Sequence, residues 1–247
     1  MSKRCIFCQN KGPFSKEHII PQWLLKSLNV PHKPTQFVRT SFLGLKKNSR
    51  FLNLYNLTNK SVCSKCNNGW MSEMENHIKT KYSGLLLNNE VITQKTINDS
   101  INMSSDPVFQ RWIFKISALY NISTNYDVFV TDMHFNLIYT NTLPVNFFIR
   151  LGFGKSNQDI EFIQSRPTGI VYNKSLSTNL ISTIGSFSFS INFKNIFLNI
   201  LMIKTPYQSY LESGNGIQVY PKRRMLEMKT ADNLFDFHMK VLPKIEN

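Results

Sequence analysis

Acidic residues are the scarce class in this 247-residue chain. Only 15 Asp+Glu stand against 29 Lys+Arg, which leaves a net charge of +14 and a pI near 9.7. That deficit predicts an anionic partner, nucleic acid first and an acidic membrane second. Long apolar runs are also missing. The most apolar stretches, such as Ile196 to Ile203, are short and broken by Asn199, far from the roughly 18 residues of a membrane span. The start, Met1 to Cys8, has a basic pair but neither the apolar core nor the small-residue cleavage site of a secretory leader. The chain therefore reads as soluble and cytoplasmic, with no membrane partner. With 42% hydrophobic and 18% charged residues, the composition forms a core rather than a disordered chain. The length allows one or two domains.

The positive charge is uneven. Residues 1–100 hold 15 Lys+Arg and 5 Asp+Glu, net +10, while residues 101–247 hold 14 and 10, net +4. A polyanion should lie mainly against the N-terminal part; the competing reading is a generic basic surface. Asn is common, with 27 residues, so a single Asn carries weight only where a motif fixes its position.

All four cysteines fall into two C-x-x-C pairs, Cys5/Cys8 and Cys63/Cys66, with none left over. In a reducing compartment this pattern reads as one tetrahedral zinc site rather than two disulfides. A thioredoxin-like redox motif would be a single pair after a strand in a βαβ unit, and no such context is present. The pairs are 54 residues apart, longer than in an ordinary zinc ribbon. The site must tie together two ends of a small domain with an insertion between them. Such a site contributes on the order of 10 kcal/mol of folding free energy.

Beside the cysteines lie two polar groups. Ser15-Lys16-Glu17-His18-Ile19-Ile20-Pro21 looks like a short strand ending at Pro21. After the second pair comes Asn67-Asn68-Gly69-Trp70-Met71. Ser72 followed by Glu75 has capping-box spacing and predicts a helix over about 72–82, with Met71, Met74 and Ile78 as its apolar stripe. Glu73, Glu75 and His77 cannot all face one site. Trp70 reads as a core residue, with a base-stacking platform as the other reading. His32, His134 and His238 have no supporting pattern and read as structural.

Together these residues resemble the HNH endonucleases, whose ββα-metal fold is often braced by a four-cysteine zinc. The matches are Cys5-x-x-Cys8, Glu17-His18-Ile19-Ile20-Pro21 and Cys63-x-x-Cys66-Asn67-Asn68-Gly69-Trp70-Met71, within residues 1–80, about a third of the chain. The resemblance implies His18 as general base and Glu17 as a ligand of a catalytic divalent ion. It implies Asn67, directly after the last cysteine, as a second ligand, a place held by His in many members and by Asn in phage junction-resolving relatives. Asn68 then orients the base or binds phosphate, and a third metal-side group comes from the helix, Glu75 first and His77 second. Glu stands at 17 where Asp is commoner, and the insertion is unusually long. The chemistry fits: a neutral imidazole takes a proton from water, and a hard cation, Mg²⁺ or Mn²⁺, suits carboxylate and amide oxygens.

For the rest, residues 83–105 read as a linker rich in Asn, Ser and Thr. Asp106-Pro107 opens a helix with Phe109, Trp112, Ile113, Ile116 and Tyr120 on its buried face. Residues 128–140 read as a hairpin, and so do 187–193 with 196–203, turning at Lys194-Asn195. No repeat, catalytic constellation or glycine-rich phosphate loop shows here. Lys222-Arg223-Arg224 is a basic patch, and Lys46, Lys47 and Arg50 form a candidate phosphate-contacting loop; in both places a merely solvated patch is the other reading.

The expected fold is α+β: a small zinc-braced ββα-metal domain over 1–82, with an insertion at about 22–58, then the linker and a larger domain over 106–247 with an antiparallel sheet. The expected function is a metal-dependent nuclease on DNA, most readily double-stranded. The rivals are a non-catalytic zinc-braced nucleic-acid-binding module and a protein-interaction adaptor. Residues 106–247 are left to DNA selection, a partner protein or a homo-oligomer.

Overall fold

The computed structural model describes residues 3–40, 46–88, 92–124, 129–144, 147–154, 160–165, 168–171, 182–203, 209–213, 217–220 and 241–245. The elements run β1 (Phe14–His18), α1 (Gln22–Ser27), β2 (Thr35–Thr40), β3 (Lys46–Leu52), a 3-10 turn (Leu54–Asn56) and β4 (Thr58–Cys63). Next come α2 (Ser64–Cys66), a π-helical turn (Asn67–Met71), α3 (Ser72–Leu86), α4 (Gln94–Ser105), α5 (Pro107–Thr124) and α6 (Asp132–Tyr139). Strands β5 (Phe147–Phe153), β6 (Phe162–Ser165), β7 (Thr168–Val171), β8 (Ser182–Phe193), β9 (Ile196–Ile203), β10 (Ser209–Ser213), β11 (Ile217–Tyr220) and β12 (Val241–Ile245) complete the chain. The class is α+β with a largely antiparallel sheet.

The chain divides into two compact units that interleave in sequence. Unit 1 is Met1–Gln36, Phe51–Leu87 and Asp106–Pro144, and unit 2 is Phe37–Arg50, Asn88–Ser105 and Val145–Asn247. The break therefore does not fall at a linker over 83–105. α4 occupies residues 94–105, and α5 and α6 belong with the cysteine-bearing unit. Part of the expected insertion, 37–50, belongs to unit 2.

In unit 1, β1 pairs antiparallel with β4, with Phe14 opposite Cys63, Ser15 opposite Val62, Glu17 opposite Asn59 and His18 opposite Thr58. Between these pairs Lys60 and Ser61 stand against the single residue Lys16, a β-bulge. The bulge has a use: the Ser61 carbonyl is turned to accept from the Ile6 amide, inside the first cysteine pair. β1 stops at His18, short of Pro21, because Pro21 already stands at the start of α1.

The segment after β4 is helical from Ser64 to Leu86 with one interruption, at Gly69 (φ −94°, ψ −117°). Ser72 is therefore not a cap. Met71 before it is already helical (φ −69°, ψ −44°), and the capping box expected from Ser72 and Glu75 does not form. The Glu75 carboxylate goes elsewhere, as described below. α5 is buried on every side: Phe109, Trp112, Ile113, Phe114, Ile116 and Leu119 are among its buried residues. A helix apolar all round belongs in the centre of a core, and its polar members need partners there. The side-chain oxygen Oδ1 of Asn121 accepts from the amides of Phe129 and Val130.

The hairpin expected over 128–140 is a helix instead. Phe135 and Ile138 are buried three apart, the spacing of one helical face, and the Thr131 amide donates to His134 Nδ1 at the entrance of α6. The linker reading of 83–105 fails for a related reason. The buried face of α4 is Ser100, Met103 and Ser104, so polar residues hide a helical stripe. The Ser100 hydroxyl is satisfied by the Thr96 carbonyl one turn back.

In unit 2 the main sheet runs β11-β5-β9-β8-β6-β2-β3, with β7 also on β8, and β10 pairs β12 separately. The described pairings are antiparallel except β2 with β6. β8 and β9 form the expected hairpin, with Lys194 in the left-handed region (φ 55°) at its turn. α4 packs on β5 and β11. Among the described residues, no helix is long and apolar enough to cross a membrane.

Candidate functional site

The four cysteine sulfurs lie within 4.8 Å of one another. Cys5 and Cys66 are 3.9 Å apart, and Cys8 and Cys63 are 3.6 Å apart. A tetrahedral zinc with Zn–S near 2.3 Å requires sulfurs about 3.8 Å apart, so the donor set fits such an ion. None of the four is in a disulfide. The backbone prepares the sulfurs for it: the Cys63 amide points at Cys5 Sγ and the Cys66 amide at Cys63 Sγ, each at 3.4 Å. Burial raises the thiol pKa values of Cys63 and Cys66. At Cys5 burial works in the same direction, but the amides of Cys8, Cys63 and Phe7 outweigh it and bring the thiol down to about 7.

The pair is tied into the unit on several sides. Cys5 N–H donates to the Asn10 carbonyl and Ser64 N–H to the Pro13 carbonyl. Gln9, just past Cys8, takes a left-handed backbone (φ 59°) so that its amide can reach the Cys5 carbonyl. Phe7, between the first two cysteines, sets its ring edge against Trp70 at 5.4 Å and Phe135 at 5.2 Å. The Arg111 guanidinium lies over the Trp70 ring, 4.1 Å from its centroid, and donates to the Ile138 and Tyr139 carbonyls. Trp70 thus packs, half-buried, between the cysteine end and α6.

Glu17 and Glu75 come together, but on a side chain that the sequence did not flag. Lys115 Nζ is 2.6 Å from Glu17 Oε1 and 2.8 Å from Glu75 Oε1. The Lys115 side chain is 0% exposed, Glu17 5% and Glu75 23%. Burial opposes the lysine charge, but the two carboxylates more than offset this and hold its pKa above the ordinary lysine value. The signal in the sequence was Lys115 itself, a single lysine inside Trp112-Ile113-Phe114-Lys115-Ile116.

The other expected site residues are dispersed. His18 is half-buried at the end of β1, with Gln22 Nε2 2.8 Å from its Nε2. Asn67 starts the π-helical turn and donates its amide to Ser15 Oγ at 3.0 Å. Asn68 and Glu73 are exposed. His77, the second choice for the metal, is turned to Asp106 Oδ2 at 3.0 Å, where Lys81 Nζ (2.8 Å) and Tyr82 Oη (2.6 Å) also converge. Burial raises the Asp106 pKa, but these three donors and the Val108 amide hold it well below the usual carboxylate range. His32 stacks on Tyr55 at 3.7 Å and His134 serves α6. Lys46, Lys47 and Arg50 stand on β3 rather than in a loop, and their side chains, like His238 and Lys222-Arg223-Arg224, lie outside the described residues.

Among the described residues the cysteines are the one cluster of three or more His, Cys, Asp or Glu side chains able to hold a metal. The catalytic ion expected at Glu17, Asn67 and Glu75 does not fit these donors as they stand. Glu17 and Glu75 each commit an oxygen to an ammonium between them, and a divalent ion on the same two oxygens would sit beside a buried positive charge. No family model, curated protein or solved structure matches this chain.

Proposed function

We propose that the chain is an HNH-type endonuclease that cuts phosphodiester bonds in nucleic acid, duplex DNA foremost, with His18 as general base. The observation that carries this reading is the order and pairing of unit 1. Glu17-His18 ends the first strand of a two-stranded hairpin, and the second strand leads through the last two cysteines directly into Asn67 and a helix. The Gln22 amide supports the base role: donating to His18 Nε2, it leaves the ring proton on Nδ1 and a lone pair on Nε2. That lone pair takes a proton from water once Gln22 turns aside, the hydroxide oxygen bonds to phosphorus, and the bond from phosphorus to the 3′-oxygen breaks, the departing oxygen taking a proton from solvent. Phosphate contact falls to exposed lysines of the hairpin. Lys16 and Lys60 are both exposed and lie on the two paired strands at the bulge, and Lys3 Nζ bonds the Lys60 carbonyl.

A second reading, a zinc-braced module that binds nucleic acid without cutting it, is favoured by the Lys115 pairing, which occupies the expected ion ligands. One experiment separates the two. Zinc-loaded protein and its His18→Ala variant are incubated with plasmid, with and without Mg²⁺ or Mn²⁺, and binding is measured at several salt concentrations. The nuclease reading expects cleavage that drops about 10²–10⁴-fold in the variant, with binding and its salt slope retained. Equal cleavage by both proteins removes His18 as base. Salt-dependent binding without cleavage under any ion assigns the chain to the second reading.

A further inference from the structure

We infer that Lys115 is the resident cation of the Glu17–Glu75 pair, its ammonium filling the place between the carboxylates that the HNH resemblance reserves for a divalent ion. The inference takes from the proposed function only the identity of the ligands, and it holds whether or not the chain cleaves DNA. The contacts are short charge-assisted hydrogen bonds, 2.6 Å to Glu17 and 2.8 Å to Glu75. A fully buried lysine is rare unless paired, and here its lost hydration is replaced by two carboxylates.

Displacement of this cation is opposed by its surroundings. Lys115 is carried by a helix whose Trp112, Ile113, Phe114 and Ile116 are all 0% exposed. Its side chain cannot swing to water without unpacking that core, and an ammonium left inside without its carboxylates would be a buried unpaired charge. The ammonium is also tethered, so a dissolved ion competes against a high effective concentration. Lys115 joins residues 98 and 40 positions away in sequence, which fixes the end of β1 and the first turns of α3 to α5.

The test is Mn²⁺ uptake by the zinc-loaded full chain, followed by the paramagnetic resonance signal of free Mn²⁺. The parent and Lys115→Arg, which keeps the cation, should leave that signal unchanged at equimolar ion. Lys115→Met should take up one equivalent, and Glu17→Gln added to it should abolish that uptake. If Lys115→Met folds only when Mn²⁺ is present, the ion has replaced the ammonium and the inference stands. If it folds under neither condition, the parent and Lys115→Arg titrations decide alone. One Mn²⁺ bound by the parent and lost in Glu17→Gln overturns the inference, as does a folded Lys115→Met that takes up none. DNA cleavage is not read in this experiment, so failure of the nuclease reading is seen separately.

Discussion

In unit 1 the fold converges on a few points of strong chemistry: four sulfurs within 4.8 Å, one ammonium between two carboxylates, and one carboxylate, Asp106, taking three side-chain donors on a single oxygen. In unit 2 the work is spread along the sheet. β5, β9 and β8 pair over their lengths, and Phe187, Phe189, Ile191, Phe193, Leu198 and Ile200 are all fully buried. Among its buried polar residues, Asn199 is paired locally, donating to Ser188 and Ser190 on the neighbouring strand. The difference is one of failure mode. A structure held at points fails when a point is removed, whereas a paired sheet loses stability in small steps. It is also a difference of use, because unit 1 carries every residue on which the functional reading rests.

The largest break in this contrast comes from the cysteines. Cys66→Ser removes one of the four sulfurs able to hold a metal, and a structural zinc in such a site contributes on the order of 10 kcal/mol. Calorimetry should show loss of the unit 1 transition. Next is Lys115→Ala, which leaves two carboxylates facing each other in the interior. A cost of about 3–5 kcal/mol is expected from denaturant unfolding, larger than that of a conservative sheet change such as Ile191→Val, about 1 kcal/mol.

Asp106→Asn should cost about 1–3 kcal/mol, because Lys81, Tyr82 and His77 lose a charged acceptor. The sign of its pH dependence follows from the depressed pKa. The carboxylate stabilises unit 1 fully above the ordinary carboxylate pKa of about 4, and that contribution is lost as pH falls below it. An acid titration of the parent should show this loss, and the Asn variant should lack it. The smallest effect sharpens the cysteine end: Gln9→Gly should raise stability slightly, by about 1 kcal/mol or less, seen as a small rise in melting temperature, because glycine adopts the left-handed backbone found there without steric cost.

What could be read from sequence follows the same division. The cysteine site was legible because ligand type and two-residue spacing carry the chemistry locally. The β8–β9 hairpin was legible because Phe187, Phe189, Ile191 and Phe193 alternate with polar residues. α6 was missed because apolar residues at Val128, Phe129 and Val130 imitate a strand start, while Phe135 and Ile138 carry the helical spacing. α4 was missed because its buried stripe uses Ser100 and Ser104. Glu17 and Glu75 were picked out as a pair, but their partner could not be. Lys115 is brought to them by the packing of α5, and no local pattern links positions 17, 75 and 115.

Unit 1, with its Glu17-His18 strand, is expected to fold only when its four-cysteine cluster holds a metal such as zinc. Amide hydrogen exchange measured before and after zinc removal tests it most directly. The expected result is collapse of protection in β1, β4 and α3 while β5, β8 and β9 keep theirs. Unchanged protection in β1 and β4 without zinc, or loss of protection in both units together, would contradict the account.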